Sequence, residues 1–182
     1  RDPLWSRGLG DVYKRQLEPG EAIFMKSGML HAYLHGVGVE IMANSDNVLR
    51  GGLTSKHIDV PELMHVVQFD ALLDPIAPAE NVVLSSHGIV PAEGIETVEY
   101  LIPVPEFRLS RSHLAPCRES HLGIEGPFIV LVTEGTVTLT SRECPEGLSV
   151  SAGHAAWVGA WEDRPTIATG ENSATVFIAR VP

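Results

Sequence analysis

The chain has 182 residues, of which 44% are hydrophobic and 20% charged, and its formal net charge is -10. This length is enough for one sizeable core or for two small ones. The negative charge argues against nucleic acid as a partner, because phosphate backbones bind basic surfaces, whereas a small phosphorylated ligand needs only one or two local cations. No apolar run approaches the roughly 20 residues of a membrane span, so we expect no membrane association. Cys117 and Cys144 have no metal-like spacing and are more typical of unpaired side chains in a reducing compartment than of a disulfide, so we expect a cytoplasmic protein.

Residues 1–16 show neither helical nor strand periodicity, and their composition differs from that of the residues that follow. They lack the continuous apolar segment of a signal peptide. We interpret them as a non-native or disordered leader, the alternative being a native loop. On this interpretation the natural protein begins upstream and the chain is a truncated piece of it.

From Leu17 onward the pattern is mainly one of short strands divided by turns. Residues 70–91 are rich in proline and are expected to form a connector with one strand, and Glu134-Gly135 predicts a tight hairpin turn. Many short strands with frequent turns are typical of a β-sandwich or a small barrel. The predicted strands are Ala22–Met25, Gly38–Met42, Asn81–Leu84, Phe128–Thr133, Thr136–Leu139, Leu148–Val150, Ala155–Val158 and Ala174–Ala179.

One helix is predicted, over residues 59–69. Asp59 can cap its first turn, Glu62 follows three residues later as in a capping box, and Pro61 is tolerated near a helix start. The apolar residues expected on one face of this helix are Leu63, Val66 and Val67.

Gly20, Lys26, Gly28 and His31 follow the spacing of the second cupin motif, which reads glycine, five residues, proline, any residue, glycine, two residues, histidine. Lys26 replaces the proline. A neutral imidazole at the end of a barrel strand, pointing inward, is a good ligand for zinc or iron, whereas a lone histidine is more often structural. The motif therefore makes His31 the candidate metal ligand.

Residues 153–164 can be placed on the same frame, with Arg164 at the ligand position. A guanidinium does not deprotonate and cannot bind a metal.

The strand pattern and the repeated motif together predict an all-β, cupin-like fold, a jelly-roll bicupin with few helices. Residues 17–91 would form the C-terminal part of a truncated catalytic barrel, and residues 92–182 a second barrel without metal ligands.

Further candidate site residues lie between His31 and the predicted helix. Arg50, in an Arg-Gly-Gly turn, can hold an oxyanion or a phosphate in its fork; the alternative is a surface ion pair with Asp46. Glu40 and Asp46 are carboxylates that could transfer protons near a metal-bound substrate, and Lys56 is a possible phosphate contact, although each could equally be a solvated group.

Tyr33 lies two residues after His31 and would share its strand face, so it could line the same pocket or simply pack in the barrel. The remaining histidines for which we find no mutual ligand spacing are expected to be structural or exposed. They are His57, His65, His87, His113, His121 and His154.

Residues 31–60 resemble the signature region of the type I mannose-6-phosphate isomerases. The shared pattern is histidine-alanine-tyrosine, glycine, glutamate-any-methionine-alanine, serine-aspartate-asparagine, and arginine-any-glycine-leucine-threonine, then lysine. Ser55 stands where the family usually has proline, which should loosen the turn before Lys56. Residues 100–107 and 153–157 also resemble the family, so the resemblance covers nearly everything after Leu17.

The resemblance implies a zinc-dependent aldose–ketose isomerase that interconverts mannose 6-phosphate and fructose 6-phosphate, monomeric when full length. In this family a glutamine, a glutamate and two histidines hold the zinc, so the chain as given should bind zinc poorly and be inactive alone. The residues that match family site positions are His31 as the last zinc ligand, Arg50 as the active-site arginine, Glu40 and Asp46 as acidic pocket residues, and Tyr33 and Lys56 as other pocket positions.

Two alternatives stay open. A non-catalytic cupin-type sugar-binding module would have no reason to carry the Arg50–Lys56 segment. Another cupin enzyme, such as an iron dioxygenase, would need an additional histidine-rich motif upstream.

Overall fold

The computed structural model describes residues 16–44, 47–52, 54–69, 76–81 and 88–182. Within these residues the regular structure consists of one helix and twelve strands. In chain order the elements are β1 Ala22–Ile23, α1 Val60–Val66, β2 Ile76–Ala77, β3 Ala79–Asn81, β4 Ile95–Tyr100, β5 Arg108–Leu114, β6 Glu119–His121, β7 Phe128–Glu134, β8 Thr136–Thr140, β9 Leu148–Ser151, β10 Ala155–Val158, β11 Thr166–Thr169 and β12 Ala174–Arg180.

The strands form two larger sheets that pack face to face, together with a small third one. The six-stranded sheet has the order β10-β7-β12-β5-β4-β3, and the four-stranded sheet has the order β6-β11-β8-β9. Strands β1 and β2 pair separately, and every pairing between named strands is antiparallel. The prediction of an all-β fold with few helices is confirmed.

The core lies between the two larger sheets, and strand alternation builds it. In β7, Phe128, Val130 and Val132 are at most 2% exposed, while Ile129 between them is 40% exposed. Ile167 of β11 approaches from the opposite sheet and is completely buried. Each such side chain contributes roughly 1.5–3 kcal/mol by leaving water.

The inner faces of β4 and β5 carry polar side chains, whereas the inner faces of the other core strands are mainly apolar. Thr97 Oγ1 and Ser112 Oγ are 2.8 Å apart and buried. Towards the end of the same face, the Glu99 carboxylate lies 3.4 Å from the Arg180 guanidinium and 3.8 Å from that of Arg108. Hydrogen bonds and ion pairs therefore satisfy these polar groups inside the sandwich.

The helix begins as predicted. Asp59 is the N-cap, its Oδ1 accepts a hydrogen bond of 3.1 Å from the Glu62 amide, and Pro61 occupies the first turn. The predicted apolar face needs one correction, because Leu63 is half-buried whereas Val66 is 45% exposed. No side chain of α1 is fully buried.

The strand predictions are most accurate after residue 128. The turn between β7 and β8 is confirmed: Gly135 has φ +73°, and a Cβ there would meet the Ser173 carbonyl. Two predictions near the start are wrong, since Gly38–Met42 carries no strand and only Ala22–Ile23 of the first predicted strand is extended and paired. The predicted strand at Asn81 ends a described strand, and its residues 82–84 lie outside the described residues.

Strands β2, β4, β5, β6 and β11 were not predicted. The division at residue 91 into two barrels stays a prediction. The described part of the chain includes no helix with the length and apolar character needed to cross a membrane.

Candidate functional site

His31 lies in an extended segment without strand structure, and its side chain is exposed. The prediction that it points inward from the end of a barrel strand is therefore wrong for this chain, because no strand is formed between residues 24 and 44. The ring is nevertheless oriented: Nδ1 lies 3.2 Å from the carbonyl oxygen of Met29. If Nδ1 carries the proton and donates to this oxygen, the lone pair of Nε2 is directed away from the backbone, as in most metal-binding histidines.

The ring of Tyr33 contacts the ring of His31. The two ring centroids are 5.6 Å apart at an interplanar angle of 68°, an edge-to-face arrangement. Tyr33 is 70% exposed, so this pair lies on the surface and is not part of a packed barrel.

Glu40 is the third predicted residue in this group. Partial burial, and then the charge of the Glu40 carboxylate and a hydrogen bond from the phenol to it, raise the pKa of Tyr33 above its ordinary value. Glu40 itself is exposed. The structure therefore brings His31, Tyr33 and Glu40 together, although Glu40 lies nine positions from His31 and outside any strand.

The Arg50 turn approaches the same segment from the other side. A Cβ on Gly51 would lie 2.7 Å from Cδ2 of Leu30, the residue before His31, so the Leu30 side chain lies close to the Gly51 backbone. Arg50 is half-buried. This contact places the turn that carries Arg50 beside Leu30, whereas a pocket shared by His31 and Arg50 stays a prediction.

A second close approach ties the His31 turn to the helix. Gly28 has φ +83°, and a Cβ there would lie 2.7 Å from the carbonyl oxygen of Val66. The amide of Gln68, just after α1, donates a 2.9 Å hydrogen bond to the Gly28 carbonyl. The end of the helix therefore supports the turn that carries His31.

Two predicted residues are not brought into this group. The Lys56 side chain is exposed, and its amide donates a 3.1 Å hydrogen bond to Thr54 Oγ1, which shapes the turn despite the serine at position 55. Asp46 lies outside the described residues, and so does its possible ion pair with Arg50.

The described residues do not complete a metal site. Across the described ranges, no group of three or more histidine, cysteine, aspartate or glutamate side chains could hold an ion. His31 offers one donor, and zinc in proteins takes four ligands, of which at least three are from the protein. The side chains present fit the role of a contributor to a site, not that of a whole one.

A separate concavity was not predicted from the sequence. A groove of about 450 Å³ lies on β3, β4 and β5, and no predicted site residue in the described part of the chain lines it. Its polar lining residues are Asn81, Glu96, Thr97, Arg111 and His113.

His113 belongs to a short polar chain on the outer face of the six-stranded sheet. Its Nδ1 lies 3.3 Å from Thr175 Oγ1, which donates a 2.8 Å hydrogen bond to Glu134. The strand alternation that places these residues outward could have been recognised only if β5 had been predicted. Polar residues on both of its faces obscured that alternation.

Comparison with known proteins finds relatives that are named mannose-6-phosphate isomerase. No protein-family model matches the chain. Mannose-6-phosphate isomerase of Salmonella typhimurium is 38% identical over 167 residues, which are 92% of this chain and 39% of that protein. The Escherichia coli protein of the same name is 36% identical over 96% of the chain, and the Homo sapiens protein is 30% identical over 90%.

A solved structure agrees with these relatives. The crystal structure of a mutant phosphomannose isomerase from Salmonella typhimurium superposes with a TM-score of 0.54 at 28% identity, over 76% of this chain and 32% of that one. The chain spans about two fifths of the length of these two bacterial relatives. These findings confirm the resemblance carried by residues 31–60, and they show that the chain is similar to one part of the mannose-6-phosphate isomerases.

Proposed function

We propose that this chain is part of an aldose–ketose isomerase that interconverts mannose 6-phosphate and fructose 6-phosphate. The observation that carries the proposal is the 38% identity to the Salmonella mannose-6-phosphate isomerase over 92% of the chain. The clustering of His31, Tyr33 and Glu40 beside the Arg50 turn supports it, because these are the residues that the sequence resemblance selected. A cytoplasmic location and a monomeric full-length enzyme belong to the same proposal.

Arg50 would stabilise the negative charge of the reaction intermediate. In an aldose–ketose isomerisation a proton leaves C2 and is delivered to C1, while a hydroxyl proton moves between the two oxygens, so an enediolate forms between the two steps. A guanidinium next to a glycine turn can approach both oxygens and hold them in its planar fork. The half-buried position of Arg50 keeps this charge partly shielded from water.

Glu40 and Asp46 are the carboxylates proposed for the proton transfer, and Tyr33 would orient Glu40. The Glu40 carboxylate lies close enough to the Tyr33 phenol to help raise its pKa, so the phenol is placed to donate a hydrogen bond to that carboxylate. A positioned carboxylate within reach of the carbon proton typically contributes a factor of about 10²–10⁴ in rate. Lys56, an exposed cation, is the proposed partner of the sugar phosphate.

Zinc is proposed as the cofactor of the whole enzyme, with His31 as one of its ligands. It would supply Lewis-acid polarisation of the sugar oxygens. The described residues supply only this one donor, so the remaining ligands would come from the part of the enzyme that the chain does not span.

A chimera tests the proposal. Residues 17–182 of this chain would replace the matching segment of the Salmonella relative, and the conversion of mannose 6-phosphate to fructose 6-phosphate would be followed in a coupled absorbance assay. We expect turnover, and we expect Arg50→Ala to lower kcat/KM by about 10²–10³-fold, the usual effect of losing one donor to a developing oxyanion.

Arg142→Ala is the matched control, because Arg142 is an exposed arginine whose 2.8 Å ion pair with Asp163 lies at the surface of the sandwich. It should leave kcat/KM almost unchanged. A folded chimera that binds mannose 6-phosphate without turnover would favour the non-catalytic sugar-binding module. Equal effects of the two arginine substitutions would contradict the role given to Arg50.

A further inference from the structure

The groove on β3, β4 and β5 is one continuous surface, because strand register places its residues next to one another. Asn81 of β3 pairs with Val98 of β4, which pairs in turn with Arg111 of β5. Glu96 of β4 and His113 of β5 form the next pair. All five residues line the groove of about 450 Å³. The two rows are two residues apart along the strands, which is roughly 7 Å.

Arg111 brings a positive charge to the first row. It is half-buried, and none of the carboxylates in the described part of the chain forms an ion pair with it. Arg108 of the same strand and Arg180 of β12 differ in this respect, because both lie near the carboxylate of Glu99. A guanidinium presents its N–H donors in a planar fork that matches a carboxylate or a phosphate. Arg111 therefore has donors to offer to an anion.

The turn at Gly20 holds the guanidinium in place. A Cβ on Gly20 would lie 1.9 Å from Nη1 of Arg111, so the guanidinium rests directly against this glycine. The Tyr100 hydroxyl donates a 3.0 Å hydrogen bond to the Gly20 carbonyl. Burial raises the pKa of Tyr100, and the nearby charge of Arg111 opposes that rise. Tyr100 follows Val98 by two residues, whereas Glu96 precedes it by two, so the guanidinium lies on the side of the groove away from Glu96.

The second row offers hydrogen-bond acceptors. The Thr175 hydroxyl has one proton, which it donates to Glu134, so it must accept the proton of His113 Nδ1 across the 3.3 Å between them. In the neutral ring this leaves a lone pair on Nε2 of His113. The exposed carboxylate of Glu96, on the neighbouring strand, is a further acceptor. One row of the groove therefore donates hydrogen bonds and the other accepts them.

We propose that the groove binds a small hydroxylated organic anion. Its carboxylate or phosphate group would lie on Arg111, with the Asn81 amide as a second donor, and its hydroxyl groups would donate to His113 and Glu96. The net charge of -10 does not oppose this, because one local cation with good geometry suffices for a small anion. Glu96 favours hydroxyl groups in the second row, since a second anionic group there would be repelled. The inference goes beyond the proposed isomerase function and does not depend on it.

Three compounds with the same carbon chain test the proposal by NMR on the full, ¹⁵N-labelled chain. Gluconate carries a carboxylate, glucitol 6-phosphate carries a phosphate, and glucitol carries no charge. We expect at least one of the two anions to shift the amide signals of β4 and β5 and the Nε–H signal of Arg111. Glucitol should bind more weakly by a factor of about ten or more, because it lacks the charge-assisted hydrogen bonds. The anion that binds identifies the group that Arg111 recognises.

Two substitutions and their controls locate the anion. Arg111→Gln should weaken anion binding by a factor of about ten or more, whereas Arg142→Gln removes the same charge from an exposed arginine outside the groove and should leave the affinity unchanged. Gly20→Ala keeps every polar group of the groove but displaces the guanidinium, so it should also weaken binding. Gly153→Ala is its control, because Gly153 has a similar φ of +85° and no atom within 4 Å of the added Cβ. Circular dichroism would verify that all four variants are folded.

The positions of the shifted signals separate this proposal from the isomerase function. Shifts confined to residues 31–56 would place the anion at the predicted catalytic residues, which overturns the groove site and leaves the proposed function intact. The groove site is also overturned if neither anion shifts the signals of β4 and β5, or if glucitol binds as tightly as the anions. Equal affinities of the Arg111→Gln and Arg142→Gln variants would likewise contradict it.

Discussion

Replacing Thr97 by valine should destabilise the sandwich, because it leaves the Ser112 hydroxyl buried without the partner that lies 2.8 Å away. Valine has nearly the shape of threonine, so the substitution removes a hydroxyl without opening a large cavity. Ser112 is 0% exposed and Thr97 is 6% exposed, so water cannot replace the missing partner. An unsatisfied buried hydroxyl costs about 1–3 kcal/mol, which is the destabilisation that we expect.

The double variant gives the sharper result. Adding Ser112→Ala to Thr97→Val removes the orphaned hydroxyl together with its partner, so the double variant should be less destabilised than the sum of the two single variants by about 1 kcal/mol or more. Urea unfolding of the full chain, followed by circular dichroism, measures the three free energies. Thr136→Val, at an exposed position of β8, is the control and should change stability by less than about 0.5 kcal/mol. Single effects that add to within about 0.3–0.5 kcal/mol would refute a coupled pair.

Two further predictions concern the candidate site. Gly28→Ala should speed amide hydrogen exchange across α1, because the new Cβ would lie 2.7 Å from the Val66 carbonyl oxygen. Gly126→Ala is the control and should not change this exchange, because Gly126 has a similar φ of +84° but open space around it. Equal exchange rates in the two variants would contradict the close contact. Glu40→Gln should lower the raised pKa of Tyr33 only in part, because burial is the larger cause of the increase and the Glu40 charge is the smaller one. Titration of the phenol, followed by NMR, measures this pKa. An unchanged or increased pKa would contradict the contact between Tyr33 and Glu40. Because the fold favours the protonated phenol, its contribution to stability is present below the ordinary pKa of 10.0 and is lost as the pH rises through the raised pKa.

The strands after residue 128 could be predicted because their residues alternate clearly. In β7 and β12 apolar residues at every second position face the core, and glycine marks the turn to β8. Strand β5 could not be predicted in this way. Its inward positions include Ser110 and Ser112, of which Ser112 pairs with the Thr97 hydroxyl of β4, so the sequence of β5 lacks the apolar alternation that signals a strand.

The candidate site shows the opposite limitation. Gly51 of the Arg50 turn lies close to the Leu30 side chain, but the strand that should have carried His31 is not formed, and a pocket shared by His31 and Arg50 stays a prediction. A strand needs a neighbour to accept and donate its backbone hydrogen bonds, and the only described partner near this segment is the two-residue strand β2. Local sequence indicates the preference of a segment, whereas pairing depends on residues elsewhere.

Pro78 is the single residue between β2 and β3, which belong to different sheets. Proline has a fixed φ, and its carbonyl accepts a 2.8 Å hydrogen bond from the Leu101 amide, so the corner between these sheets is stiff. The Tyr100 hydroxyl spans the same corner by donating to the Gly20 carbonyl at 3.0 Å. A mechanical load on the β1–β2 ribbon would therefore be transmitted to β4, the strand whose two faces line the groove and hold the buried hydroxyl pair.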